Sequence, residues 1–414
     1  MTVPPSGLVT TPSVPSEATD PSTPRGHPRA GRSDAATSRG RARPVAQVLR
    51  VAGHAVIWAT VLVPAVIEMA EGWRPTRDDA MITIGAAQVF SAKFPLVGVW
   101  SLASQGTHHA FFDPGPLLFW LLAVPVRLDP AQGAVWGSAL VCGAALSLAA
   151  EALWSVVGWP GPVAVELVVA DLSWQTHIFS HVDWNPYFGL VFLVATVAVG
   201  WAVAVGRFGW WPVTVFLASV SAQCHLVDTL TAVALVGAVP CVAYALGYRP
   251  RRWRWLIGGV AVAVLGWAAP LVQQWTTHPG NLSLILSSPG SRRVGLGFGL
   301  HAMATAAAPD PIWLTKYPFL TTLVTGMPAY LEHHGTAWGV VVLALLAAVA
   351  VTAGRTRRRR LAATAALAFL ISLATVVTFA AFPSHNLVVP LAYLCAVLWA
   401  VGIVVWVTVL WAAA

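Results

Sequence analysis

Residues 361–384, LAATAALAFLISLATVVTFAAFPS, contain no Asp, Glu, Lys or Arg. Crossing the hydrocarbon of a bilayer takes roughly 20 apolar residues as helix, with every backbone polar group paired inside the segment. This stretch meets that requirement, and so do Trp255 to Ser291, Gly335 to Gly354 and Asn386 to Ala414. Repetition of the pattern predicts an all-α, polytopic transmembrane helical bundle.

Composition points the same way: 57% of the 414 residues are hydrophobic and 10% are charged, against about 25% charged in a soluble domain. The formal charge of +8 would suggest nucleic acid in a soluble protein, but its distribution argues otherwise. Seven Arg precede residue 51, four lie in Arg249 to Arg254 and five in Arg355 to Arg360. Basic clusters beside apolar spans mark cytoplasmic loops, and no aromatic-interleaved basic surface remains for nucleic acid. Residues 1–47 are rich in Pro, Ser, Thr, Arg and Gly and read as a disordered, basic cytoplasmic tail. The membrane domain is expected over 48–414, with the first apolar run as an uncleaved anchor. Cys142, Cys224, Cys241 and Cys395 all sit in apolar runs without metal-like spacing, as small core hydrophobes do.

Threading the chain from a cytoplasmic N-terminus gives about nine to eleven spans, with both termini inside. Val51 to Ala70 crosses outward and delivers an outer loop of 71–113. There Asp78 and Asp79 open a segment whose Ile82, Ala86, Val89 and Phe90 share one helical face, predicting a short amphipathic surface helix. A short span is expected from Pro114 to about Arg127, then a full crossing over Gln132 to Val157. Val163 to Leu172 is too short to cross without tilt. Tyr187 to Gly206 enters from outside, so 173–186 forms an outer loop. Trp211 to Ala245 is expected as two shortened helices broken near Cys224 to Asp228. Residues 273–334 fall outside or partly embedded, and the last two apolar runs form a hairpin.

Polar residues on the outer side supply the candidate chemistry. A partly desolvated carboxylate at Asp78 or Asp79 gains the basicity to deprotonate a hydroxyl; alternatively Asp78 caps the helix and Asp79 favours its positive end. Outer arginines, Arg77 among them, suit a phosphate group, or pair with nearby carboxylates. His108, His109 and Asp113 form one further group, and His177, His181 and Asp183 another. The His-x3-His spacing permits metal ligation, but Trp184-Asn185-Pro186 ends any helix there, and hydrogen bonding to a polar ligand is the favoured reading. Glu68, Glu151, Glu166, Asp171 and Asp228 lie in or near apolar runs, where ionisable groups are costly. Soluble nucleotide-binding and hydrolase motifs are missing. Asn281-Leu-Ser283 fits a glycosylation acceptor pattern and is discounted as a frequent three-residue match.

The layout resembles polytopic glycosyltransferases of the GT-C type. More narrowly, RDDAMITIGAAQVFSAKFPLVGVWS at 77–101, DPGPLLFWLLAVPVRL at 113–128, DWNPY at 183–187, QCHL at 223–226, WAAPLVQQWTTHPGNLS at 267–283 and SHN at 384–386 are similar to a family of membrane proteins from high-GC bacteria. The resemblance implies transfer of a sugar from a polyprenyl-phosphate donor to an envelope glycan, lipid or protein on the outer face, without a cofactor. It implies Asp78 or Asp79 as general base, with Arg77 and the outer histidines on the phosphate. Asp113, Asp183, Asn185 and His385 complete the expected binding set. A non-catalytic or transport protein binding a lipid or polar solute in the same cavity stays open at this point.

Overall fold

A computed structural model describes residues 34–105, 107, 109–287, 292–310, 312–314, 335–384 and 392–414. His108 and His385 therefore lie outside the described residues. The chain divides into Met1–Gln47 and Val48–Ala414. Regular structure among the described residues comprises fourteen α-helices, and the first of them, α1 (Asp34–Ala70), begins inside the expected disordered tail.

Eight helices are long and apolar enough to cross a bilayer. Contacts between their ends fix which faces they share. Arg50, near the start of the apolar part of α1, donates through Nε and Nη2 to Glu151 near the end of α4 (Gly133–Val157), and His54 Nε2 lies 2.6 Å from the same carboxylate. At the other end Gln132 Nε2 donates to Met69 O at 3.1 Å. The two helices are antiparallel, so the segment joining them starts and ends on one face.

That geometry corrects one expectation. The joining segment holds α2 (Arg77–Gln88) and α3 (Leu117–Leu128), each of 12 residues, or about 18 Å at roughly 1.5 Å per residue. α3 is therefore not a span; with α2 it makes no net crossing. Gly85 lets the two helices touch, since a Cβ there would sit 2.8 Å from the Phe119 ring. Ile82 and Ala86 are buried as the periodicity predicts, whereas Phe90 is exposed.

From the face bearing Arg50, α5 (Pro160–Thr176) starts beside Gly53, over which Pro162 and Glu166 lie. It runs its 17 residues to the opposite face, where His177 in the left-handed region (φ 50°) stops it. α6 (Asn185–Ala204) returns: Trp184 reaches Asp78 at one end, and Trp201 Nε1 donates to Thr364 at the other. α7 (Trp211–Cys224) and α8 (Leu226–Ala245) form the expected broken hairpin, interrupted at His225. α9 (Arg254–Thr276) rises again, followed by α10 (Asn281–Ser287) and α11 (Leu296–Ala306).

α11 starts against the end of α13 (Arg359–Ala380), where Gly299 meets Val376 O. It finishes at the middle of α14 (Val397–Ala413), where Trp406 Nε1 donates to Ala308 O at 3.1 Å, so it dips into the bundle without crossing. α12 (Thr336–Arg355), α13 and α14 complete the bundle. With the shorter α5 and α7, ten helices connect the two faces among the described residues. Arg50, Arg207, Arg249 to Arg254 and Arg355 to Arg360 share one face, tied by Arg360 Nη2 to Val156 O; we call it the basic face. The core centres on α6, whose apolar window is 83% buried and whose Phe188 and Phe192 rings stack at 4.9 Å.

Candidate functional site

A cavity of about 480 Å³ opens at the face opposite the arginine clusters. Its polar lining comes from separate elements: Asp78 from α2, Asp113 from the loop ahead of α3, Asn185 from the start of α6, His225 from the α7–α8 break, Arg293 ahead of α11, and Tyr393. Leu230, Val233 and Val377 line its flank along the seam of α8 and α13, and all three are exposed, Val233 and Val377 by 48% and 47%. Apolar side chains exposed on a bilayer-crossing helix meet hydrocarbon. The cavity is thus polar toward one end and apolar and exposed along its side.

Each carboxylate is held in a distinct way. α2 is capped at Thr76, which makes no side-chain cap bond, so Asp78 and Asp79 both lie in the first turn, favourable to the helix dipole. Asp78 does not cap the helix: its Oδ2 accepts a 2.8 Å bond from the Trp184 indole, and Trp184 is fixed by Tyr187 and Tyr393, at ring-centroid distances of 5.1 and 4.7 Å. Asp113 is buried, accepting from Asn185 Nδ2 at 3.0 Å while the same amide donates to Cys224 O at 2.9 Å. Burial pushes the Asp113 carboxyl well above the usual range, and the Asn185 and Leu226 bonds only partly oppose it. Burial thus disfavours its charged form.

The loop carrying Asp113 is built like a short hairpin. Gly98 N bonds Asp113 O, Asp113 N bonds Val99 O and Ser101 N bonds Phe111 O, at 2.8–3.0 Å. Asn281 clamps it from outside, accepting from Phe112 N and donating to Phe112 O. Asn281 is 2% exposed, which agrees with discounting it as a glycosylation acceptor. Gly115 completes the clamp, because a Cβ there would overlap Gln223 Oε1.

Of the residues singled out from sequence, Asp78, Asp113 and Asn185 come together in the cavity. Asp79 does not line it. It belongs to a neighbouring acidic group with Asp183, which is 2% exposed and whose Oδ2 has no hydrogen-bond partner among the described residues. Burial first and Asp78 second push the Asp79 carboxyl up to about 6; burial first and Asp79 second push Asp183 up to about 8. Arg77, His109 and His177 are exposed, His181 is half-buried, and none lines the cavity. Among the described residues no group of three His, Cys, Asp or Glu is placed to hold a metal ion.

Sequence reasoning gave no role to His225 or Tyr393 and counted Arg293 only among the outer basic residues suited to a phosphate. His225 had a signal available, as an ionisable side chain interrupting an apolar run. It shares the break with buried Asp228, whose Oδ2 lies 3.9 Å from His225 Nδ1 and fits only because residue 189 is Gly. No family model, curated protein or solved structure matches the chain.

Proposed function

We propose that the protein is a membrane glycosyltransferase that moves a sugar from a polyprenyl-phosphate donor to a hydroxyl acceptor at the face opposite the arginine clusters. The basic face is then cytoplasmic by the positive-inside trend, and the reaction is extracytoplasmic. One observation carries the reading: a single cavity holds the Asp78 carboxylate, the Arg293 guanidinium and a flank open to hydrocarbon. That combination suits a ligand with a greasy tail, an anionic link and a polar head.

In this reading Asp78 takes the acceptor's hydroxyl proton as the acceptor oxygen bonds to the anomeric carbon. The bond between that carbon and the phosphate oxygen breaks, and lipid phosphate leaves with the electron pair, beside Arg293. Arg77, proposed from the sequence for the phosphate, gives way to Arg293, which lines the cavity where Arg77 does not. Trp184 holds the base in position, and the burial of Asp113 disfavours a second negative charge beside the phosphate.

Asp78→Asn tests the assignment, because the amide oxygen still accepts from Trp184. Transfer from a radiolabelled polyprenyl-phosphate sugar in isolated membranes is expected to fall about 100-fold or more, the usual contribution of a positioned base. Membrane insertion and yield should not change. Undiminished transfer by that variant would remove Asp78 from the chemistry.

A further inference from the structure

The arginines of the basic face form a more specific arrangement than membrane sorting requires. Arg249 turns back onto the end of α8, donating through Nη1 to Tyr244 O at 2.7 Å and Tyr248 O at 2.9 Å. Its guanidinium lies 3.4 Å from the centre of the Tyr244 ring. Arg359, the first residue of α13 and more than 100 residues later, lies over the Tyr248 ring at 5.4 Å, and its Nη2 is 3.6 Å from where a Cβ of Gly247 would be. The two clusters therefore meet around Tyr248. Exposed Tyr244 and Trp253 flank the meeting point, and Arg254 stacks on Trp255 at 4.5 Å.

Charge at this place is unbalanced. The sequence has no Asp or Glu between Asp228 and Asp310, and none after Glu332. Among the described residues none of Arg249, Arg251, Arg252, Arg254, Arg355 or Arg357 to Arg360 makes an ion pair. Converging guanidinium groups without a carboxylate repel one another, and aromatic rings offset that only in part. Arg249 and Arg359 each carry five N–H donors in a planar fork matched to phosphate oxygens. Amphipathic aromatic rings at the same depth belong to the headgroup level of a bilayer.

We infer that the surface between Arg249 and Arg359, around Tyr248, binds the phosphate headgroup of an anionic phospholipid in the adjoining leaflet. The site stands apart from the sugar-transfer cavity and does not depend on the reading given above. Its occupant is a lipid rather than free phosphate, because the aromatic side chains beside the arginines match acyl chains and not water.

The test uses the full-length protein in mild detergent, with bound lipid counted by native mass spectrometry against added phosphatidylglycerol, phosphatidylcholine and inorganic phosphate. Wild type is expected to retain phosphatidylglycerol over phosphatidylcholine, with retention falling as salt rises. Arg249→Gln with Arg359→Gln should weaken phosphatidylglycerol binding by about twenty- to thirtyfold, each arginine at an anionic surface contributing roughly fivefold. Arg74→Gln with Arg127→Gln removes the same charge from the opposite face and should change nothing. Arg249→Lys with Arg359→Lys keeps charge and checks that any loss is not misfolding. Equal retention of the two lipids by wild type, wild-type binding by the Gln pair, or an equal loss in the opposite-face control would each overturn the inference. Displacement of the lipid by millimolar inorganic phosphate would do so too.

Discussion

Asp183→Asn should make this protein more stable, and only above a certain pH. The Asp183 carboxyl, ordinarily near 3.8, is pushed up to about 8, first by burial and then by Asp79. A carboxylic acid whose folded value is raised holds its proton more tightly folded than unfolded, so stability declines as pH climbs from about 4 and levels off above about 8. Four pH decades at about 1.4 kcal/mol each put the penalty of ionising Asp183 in place on the order of 5 kcal/mol at pH 9. The neutral amide mimics the protonated acid in shape and never ionises. At pH 4 or below the variant and the parent should melt within a degree or so of each other; at pH 8 to 9 the variant should melt several degrees higher. The assay is thermal unfolding in detergent followed by a thiol-reactive dye, since Cys142, Cys224 and Cys395 are buried, in a Cys241→Ser background that removes the exposed thiol. A variant that melts lower than the parent at pH 9 would refute the reasoning, because Asp183 would then be an ion with a partner.

Other perturbations follow from single contacts. Asn185→Ala deprives both the Asp113 carboxyl and the Cys224 carbonyl of a donor, and should destabilise by about 2–6 kcal/mol at the 1–3 kcal/mol usual per stranded buried group, read by the same dye assay. Trp184→Phe keeps the ring between Tyr187 and Tyr393 but removes the N–H that holds Asp78. Transfer should drop about tenfold or more, as for a hydrogen bond to a charged group, at unchanged yield. Glu151→Ala frees Arg50 and His54 at once on the basic face and should lower stability by about 1–3 kcal/mol, read by the same dye assay.

Much of the fold was legible because hydropathy reports whether a segment can sit in hydrocarbon, and in long runs nothing competes with that signal. Gly335 to Gly354 matches α12 to within one residue at each end, and Leu361 to Ser384 matches α13 to within four. The α7–α8 break was readable too, since Gln223, His225 and Asp228 interrupt an apolar stretch. α3 misled the reading because its sequence, LLFWLLAVPVRL, is as apolar as a span. Only the pairing of Gln132 with Met69 and of Glu151 with Arg50 reveals that the chain has not changed sides, and long-range contacts of that kind leave no local trace. The separation of Asp78 from Asp79 was likewise hidden: adjacent residues on a helix point about 100° apart, and which one faces the cavity depends on where Trp184 arrives.

The cavity and the hardest parts of the sequence coincide for a physical reason. Backbone away from regular helix is tolerated at membrane depth only where protein buries it or a cavity receives it. Here Asp113 stands in the loop just ahead of α3, His225 in the gap between α7 and α8, and Arg293 ahead of the half-crossing α11. Asp78 and Asn185 occupy first turns of helices, where side chains leave the barrel of the bundle and backbone N–H groups are unsatisfied. A continuous span would present Leu or Val at these depths. Each interruption instead trades apolar surface for a polar group aimed at one volume, and each shortens the apolar run on which a hydropathy reading depends. The features that blur the topology in sequence are thus the ones that assemble the site.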